Sequence, residues 1–370
     1  MFVLINYFVC PRPSIMEKII PFFAPDLAKV TNHRSGEIKF GERMLTVPVG
    51  ADLSEFIKEC PARFVLFGIP EDIGVRANFG RPGAASAWKS AISSIANIQY
   101  NSFCRGKELL VLGQLDVSAE MEEVQQLDFH VTADRKKMNE LVERIDKEVT
   151  HIVTQLVRAG KIPIVIGGGH NNAYGMIKGT ALAKGQAINA INFDAHSDFR
   201  ILEGRHSGNG FSYAFEEGFL QQYFVFGLHE NYTSKKVLIT IKDLVHRVRY
   251  NTYDEIAIRG VKKFETELLN AERFITGSSF GIELDLDAIP NIASSAMTLS
   301  GFSVEQARQY IHRFGKNQNA SYLHICEGAP ELGDEKNQQL VGKLIGYLVT
   351  DFMKANSPVD KKIQNITVNW

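Results

Sequence analysis

The chain has 370 residues, 45% of them apolar and 22% charged, and its 41 basic and 42 acidic side chains leave a formal charge of -1. That composition excludes a disordered chain, a collagen-like repeat and a disulfide-stapled miniprotein. The near-zero charge gives no bulk attraction to nucleic acid or to an acidic membrane face, and neither partner is expected. Cys10, Cys60, Cys104 and Cys326 are far apart and form no C-x-x-C pair. Neither a thiolate zinc site nor a disulfide framework is expected, and a cytoplasmic location fits.

The opening MFVLINYFVC is apolar but has no basic stretch ahead of it and runs at once into Pro11 and Pro13. This argues against a secretory signal, and Met16 opens a more ordinary start, MEKIIPFFAPDL. No apolar run reaches the roughly 18 residues that a membrane helix needs. From residue 63 onward, short apolar runs alternate with longer helical patterns. Buried strands are predicted at 63–71 (RFVLFGIPE), 108–117, 162–170 (IPIVIGGGH), 187–197 (AINAINFDAHS), 224–230, 280–288 (FGIELDLDA) and 320–328 (ASYLHICEG). Runs apolar at nearly every position indicate a parallel sheet covered on both faces.

Between the runs, Met138, Leu141, Ile145, Val149, Ile152, Val153 and Leu156 recur at helical spacing ahead of Gly160. Ser303-x-x-Gln306 reads as a capping box, and Leu340, Leu344, Ile345 and Leu348 mark a C-terminal amphipathic helix. Residues 231–275 carry the least readable pattern. The expected architecture is α/β, a three-layer α/β/α sandwich with a mainly parallel central sheet. Residues 1–60 form an N-terminal extension and 61–370 a single domain.

Ligands of open α/β sheets bind beyond the carboxyl ends of the strands, and the residues there are unusually polar. Asp194, His196 and Asp198 stand at alternate positions as a run ends, so they can point to one side. Asp285 and Asp287 repeat the i, i+2 spacing, and His170 follows three glycines that permit close backbone approach. A lone strand-end histidine is more often structural, and a single D-x-D is common in solvated loops. D-A-H-S-D is far more specific, and the three segments together point to metal. Four carboxylates cost too much to desolvate side by side without cations. Six ligands exceed what one tetrahedral zinc takes, and oxygen-rich ligation with some imidazole suits two Mn2+ per chain.

These segments resemble the ureohydrolase superfamily of arginases, agmatinases and formimidoylglutamases. Its G-G-x-H, D-x-H-x-D and S-x-D-x-D segments stand here as Gly167–His170, Asp194–Asp198 and Glu283–Asp287. The resemblance implies one manganese held by His170, Asp194, Asp198 and Asp285, and another by His196, Asp194, Asp285 and Asp287. It implies the three-layer fold and a homo-oligomer. Gly169 stands where arginases and agmatinases carry Asp. GGGHNNAYG, DIGVRANFGRPGAA, and DAHSDFR followed by GRHSGN are similar to formimidoylglutamase segments. The implied reaction takes N-formimidoyl-L-glutamate and water to L-glutamate and formamide, in histidine degradation.

The resemblance aligns Glu327 with the glutamate that contacts the substrate's cationic nitrogen group. A glutamate-like tail needs cations at the rim, for which Arg76, Arg81, Arg200 and Arg205 are candidates. Ser207 and Asn209 resemble the arginase S-G-N stretch that holds the amino-acid end. Asp198 and His206 are the candidates to carry the proton to the leaving amine. Three positions depart from the pattern. Glu283 replaces a small residue, and adds a charge near the metals or on the other face of the sheet. Phe211 falls where arginases have a proton-shuttle histidine. His324 falls on their guanidinium-side aspartate. A guanidine-cleaving relative and a metal-binding relative without turnover are the alternatives. A nucleotide site is not indicated, because no phosphate-binding glycine motif is present.

Overall fold

The structure is a computed structural model that describes residues 16–357. Cys10 and the apolar opening segment lie outside the described residues. Ten strands form one sheet: β1 Ile19–Pro21, β2 Leu45–Thr46, β3 Phe64–Gly68, β4 Leu109–Leu115, β5 Ile162–Ile166, β6 Ile188–Phe193, β7 Leu220–Leu228, β8 Val248–Thr252, β9 Phe280–Asp285 and β10 Ala320–Cys326. Their order is β1-β4-β3-β5-β10-β9-β6-β7-β8, with β2 also paired to β4. Every pairing is parallel except β1 with β4.

The inner strands are largely apolar because both faces are covered. Phe64, Leu66, Ile191, Phe193, Ile282 and Leu284 pack on one face, against helices Ala87–Ala96, Phe264–Ile275, Val304–Gly315 and Glu335–Asn356. The alternate residues, among them Val65, Phe67, Val165 and Ala190, pack against helices Thr132–Arg158, Ala173–Lys184, Gly210–Glu216 and Lys235–Asp243. This is the three-layer α/β/α architecture expected from the sequence. The capping box is also present: Ser303 Oγ accepts from the Gln306 amide, and Gln306 Oε1 accepts from the Ser303 amide.

The segment before residue 61 contributes to the same sheet. β1 continues the edge beyond β4, and Leu27, Phe40 and Met44 are buried in the first core layer. Residues 231–275 hold helix Lys235–Asp243, the edge strand β8, a π-helical turn at Asp254–Ile258 and helix Phe264–Ile275.

Candidate metal centre

Four central neighbours in the sheet, β5, β10, β9 and β6, end side by side, and their carboxyl ends carry the site. On β9, Ile282 and Leu284 face the first core layer, so Glu283 and Asp285 face the second. On β6, the same alternation turns Asn192 and Asp194 to that side. After β5, Gly167 and Gly168 take positive φ of 89° and 73°, which glycine adopts without strain. The turn then delivers His170 over the strand ends. A Cβ at Gly169 would lie 2.5 Å from Asn171 Oδ1 and 2.9 Å from Val75 Cγ2, which explains glycine there.

The buried Glu71 carboxylate fixes this turn. Its Oε1 accepts from the Gly169 amide at 3.1 Å and from Asn171 and Asn172 Nδ2 at 3.1 and 2.6 Å; its Oε2 accepts from the Ile73 amide at 2.7 Å. Glu71 was not singled out from the sequence. Its signal was a carboxylate closing an apolar run.

The predicted ligand residues come together in two adjoining groups. His170, Asp194, Asp198 and Asp285 each offer an atom within 4.8 Å of the others, as do Asp194, His196 and Asp287. His170 Nδ1 lies 3.3, 2.8 and 3.3 Å from oxygens of Asp194, Asp198 and Asp285. His196 Nδ1 lies 3.5 Å from Asp194 and 3.2 Å from Asp287. Asp194 therefore spans both groups, with Oδ2 toward His170 and Oδ1 toward His196. Asp285 directs Oδ2 at His170, while its Oδ1 accepts from the Asp287 amide at 2.7 Å. The resemblance implied both aspartates in both sets, and the side chains stand so only for Asp194.

The donor set fits divalent cations. Neither ring nitrogen of His170 nor Asp287 Oδ1 has a hydrogen-bond partner among the described residues, although all three atoms are buried. Burial raises Asp198 and Asp285, and the charges of Asp194 and, for Asp285, Asp287 raise them further. Burial works against protonation of both histidines, yet the surrounding acidic groups carry them well above the usual range. A set of acids and imidazoles that compete for positive charge is what a hard, doubly charged ion satisfies.

Of the cluster, His196, Asp198, Asp285 and Asp287 line a cavity of about 750 Å3, while His170 and Asp194 are fully buried. Glu327 leaves β10 at φ 60° and reaches the cavity wall. Its Oε1 accepts from the His170 amide at 2.7 Å and its Oε2 from the Ser295 hydroxyl. Burial, aided by the charges of Asp287 and Asp198, pushes it up to about 8.

Of the other predicted contacts, Arg200 and Ser207 line the cavity, whereas Arg76, Arg81, Arg205, His206 and Asn209 do not. Arg76 pairs with Asp72 at 2.7 Å, and Arg81 donates to the Ser294 and Ser295 carbonyls. Arg205 is buried, clamped to both Asp146 oxygens at 2.8 and 3.2 Å, and packed between the Tyr174 and Tyr213 rings. It also donates to the Asn171 carbonyl and to Asn209 Oδ1, so both residues brace the loop from behind. His206 Nδ1 accepts from the Gly208 amide, its Nε2 lies 3.3 Å from Glu203, and burial lowers it to about 4. Phe211 packs edge-on against the His170 ring at 5.2 Å. Two cavity residues that sequence reading missed are Asn78, which accepts from Arg200 and donates to Ser207 Oγ, and Lys236.

Acidic and imidazole side chains cluster at the carboxyl ends of a parallel sheet, beside a solvent cavity, and define an α/β protein with a candidate metal site. The arginase-family sequence model matches residues 62–350, and the chain belongs to that family. A formimidoylglutamase of Macrococcus caseolyticus is 28% identical over 239 residues, 62% of this chain and 72% of that protein. One from Rhodococcus jostii is 24% identical over 354 residues, 91% of this chain and 98% of its own length. Among solved structures, Bacillus subtilis formimidoylglutamase superposes with a TM-score of 0.68 at 17% identity, covering 88% of this chain and 94% of that one. Trypanosoma cruzi formiminoglutamase with Mn2+ gives 0.66 at 18%, covering 87% and 100%. At these identities the superpositions speak for the fold.

Proposed function

We propose that the chain is a dinuclear manganese hydrolase that cleaves the C–N bond of a linear amidine, specifically N-formimidoyl-L-glutamate, to L-glutamate and formamide. The observation that carries the reading is the convergence of His170, Asp194, His196, Asp198, Asp285 and Asp287 in two adjoining groups, with His196, Asp198, Asp285 and Asp287 lining one cavity. The similarity to formimidoylglutamases over most of the chain supports the substrate. The Mn2+ in the T. cruzi neighbour's description supports the metal. No described helix is long and apolar enough to cross a membrane, and the reading includes a cytoplasmic enzyme that assembles from identical copies.

When bound, the two ions supply Lewis acidity and a water acidified toward neutral pH. The residues do the rest. Glu327, held on two sides by His170 and Ser295, orients the cationic formimino group over the floor. The bound tail excludes solvent from that floor. Water adds to the formimino carbon, and its proton passes to Asp198. Asp198 then gives that proton to the leaving nitrogen as the C–N bond breaks, releasing the amine and formamide. Arg200 and Lys236 receive the substrate's carboxylates at the rim.

The test is a panel of amidines and guanidines assayed with and without Mn2+, scoring formamide against urea. Mn2+-dependent formamide from the formimino substrate is expected, with Asp194→Ala abolishing metal uptake and turnover together. Urea release would move the assignment to a guanidine-cleaving relative. Full activity in Asp194→Ala would refute the metal mechanism.

A further inference from the structure

Behind the ligand groups lies a second layer of fully buried polar side chains. Glu283 stands two residues before Asp285 on the same face of β9, and its strand partner in the register is His324 of β10. Glu283 Oε1 accepts from the Tyr322 hydroxyl at 2.6 Å, and His324 Nδ1 lies 2.6 Å from Oε2. Gly281, one more step back on that face, makes room, since a Cβ there would lie 2.0 Å from Tyr322 Cζ. Glu283, His324, Tyr322 and His170 are all 0% exposed. A carboxylate so deep is costly unless donors surround it. Two of its donors are accounted for, and the third group facing it is His170, whose Nε2 lies 3.6 Å from Glu283 Oε2.

The two nitrogens of His170 thus face different chemistry. Nδ1 faces the three aspartates and Nε2 faces Glu283. A neutral imidazole that binds an ion through Nδ1 carries its proton on Nε2, and in a dry interior that N–H needs an acceptor. Glu283 is the carboxylate that faces Nε2 among the described residues, at 3.6 Å, slightly longer than a hydrogen bond, so a small shift of the ring closes the contact. Tyr322 holds Oε1 and His324 holds Oε2, so the oxygen facing His170 cannot swing away.

We propose that Glu283 is a positioning residue for the metal centre, receiving the Nε2 proton of His170 and so holding Nδ1 toward the ion. The inference rests on reading the cluster as a metal site. The carboxylate fixes the tautomer and the ring plane, and its charge behind the ring strengthens the imidazole as a donor. Glu283 is therefore a functional departure from the small residue of the family segment, and His324 and Tyr322 are the supports that such a carboxylate requires. A merely structural Glu283–His324 pair would stabilise the fold without affecting metal affinity.

The test is isothermal titration of Mn2+ into chelator-stripped wild type, Glu283→Gln and Glu283→Asp, with the apo melting temperature recorded for each. Glu283→Gln keeps the shape and loses the charge, and its Mn2+ Kd should rise about 10- to 100-fold, the usual cost of losing such an outer partner. Glu283→Asp keeps the charge but withdraws the oxygens by one methylene, and should show a smaller rise. It decides the question alone if the Gln variant does not fold. A lowered apo melting temperature with wild-type Kd in the folded variants overturns the inference and leaves the metal reading intact. A wild type that takes up no divalent ion overturns both, which separates the two failures.

Discussion

Lys236 and Arg200 are basic side chains that line the cavity. Arg200 is already tied to Glu203 at 2.6 Å and Asn78 at 2.7 Å, whereas the Lys236 ammonium meets no carboxylate among the described residues. Lys236 also occupies the second position of helix Lys235–Asp243, where the helix dipole disfavours a cation. A lysine kept there despite that cost is suited to an anionic substrate. Lys236→Ala should raise KM about tenfold with kcat nearly unchanged, the loss of one charge-assisted contact of roughly 1.5 kcal/mol. An unchanged KM in steady-state kinetics would remove Lys236 from the binding site. His206 gives a stability prediction instead. Its imidazole falls from 6.5 to about 4 through burial and the nearby Arg200 and Arg205 charges, with Glu203 opposing. The unfolded chain takes up that proton below 6.5 and the folded chain only near 4. The neutral ring therefore contributes fully above pH 6.5, and the contribution is lost as pH falls from 6.5 to 4. The loss is on the order of 3 kcal/mol. Urea unfolding of wild type and His206→Asn across that window should show the variant losing less stability by about that amount. Parallel curves would show that the ring's burial is not what sets its charge.

Helix Ala173–Lys184 follows directly from His170, so its seat fixes where the imidazole stands. It approaches helix Thr132–Arg158 through Gly175 and Gly179. A Cβ at Gly179 would lie 2.7 Å from the Thr150 carbonyl oxygen and 2.8 Å from Val153 Cβ. Alanine would gain up to about 1 kcal/mol in helix propensity, but the carbonyl belongs to a packed helix and cannot yield cheaply. Gly179→Ala should be destabilising overall by about 1–2 kcal/mol, read as a melting temperature lower by a few degrees; a higher one would mean the helices can separate without loss. The same element scale explains what was legible in the sequence. The seven long strands were readable because each is largely apolar on both faces, and the D-A-H-S-D and D-L-D segments were readable by residue type and spacing, although the loop after β6 and a 3-10 turn at Leu286–Ala288, not strand alternation, place Asp198 and Asp287. β1 and β2 have three and two residues, too short for any period. The sequence of β8 is Val-Arg-Tyr-Asn-Thr, polar because the sheet ends there. Arg205, His206 and Asn209 sit beside the metal loop in sequence, but whether a loop side chain faces the cavity or the helix behind it is decided by Asp146 and Asn139, far away in the chain.

At the scale of the whole molecule, one sheet gathers four buried aspartates and Glu327 together, and all but Asp194 line a single cavity. Their mutual repulsion opposes folding, and a divalent ion that binds only the folded chain relieves it. The linkage is quantitative: at a free concentration one hundred times Kd, each ion adds about 2.7 kcal/mol of stability. Two ions would therefore contribute about 5 kcal/mol, an upward shift in melting temperature on the order of 10 °C for a chain of this size. Chelator-stripped protein titrated with Mn2+ in a calorimeter should show that rise in proportion to the logarithm of the metal concentration, and it should reverse with added chelator. Asp194→Ala, which removes the carboxylate common to both ligand groups, should melt at the same temperature with and without Mn2+. A wild-type melting temperature indifferent to Mn2+ would mean that the acidic floor is held together by its own histidines, and that no metal is needed to keep these carboxylates side by side.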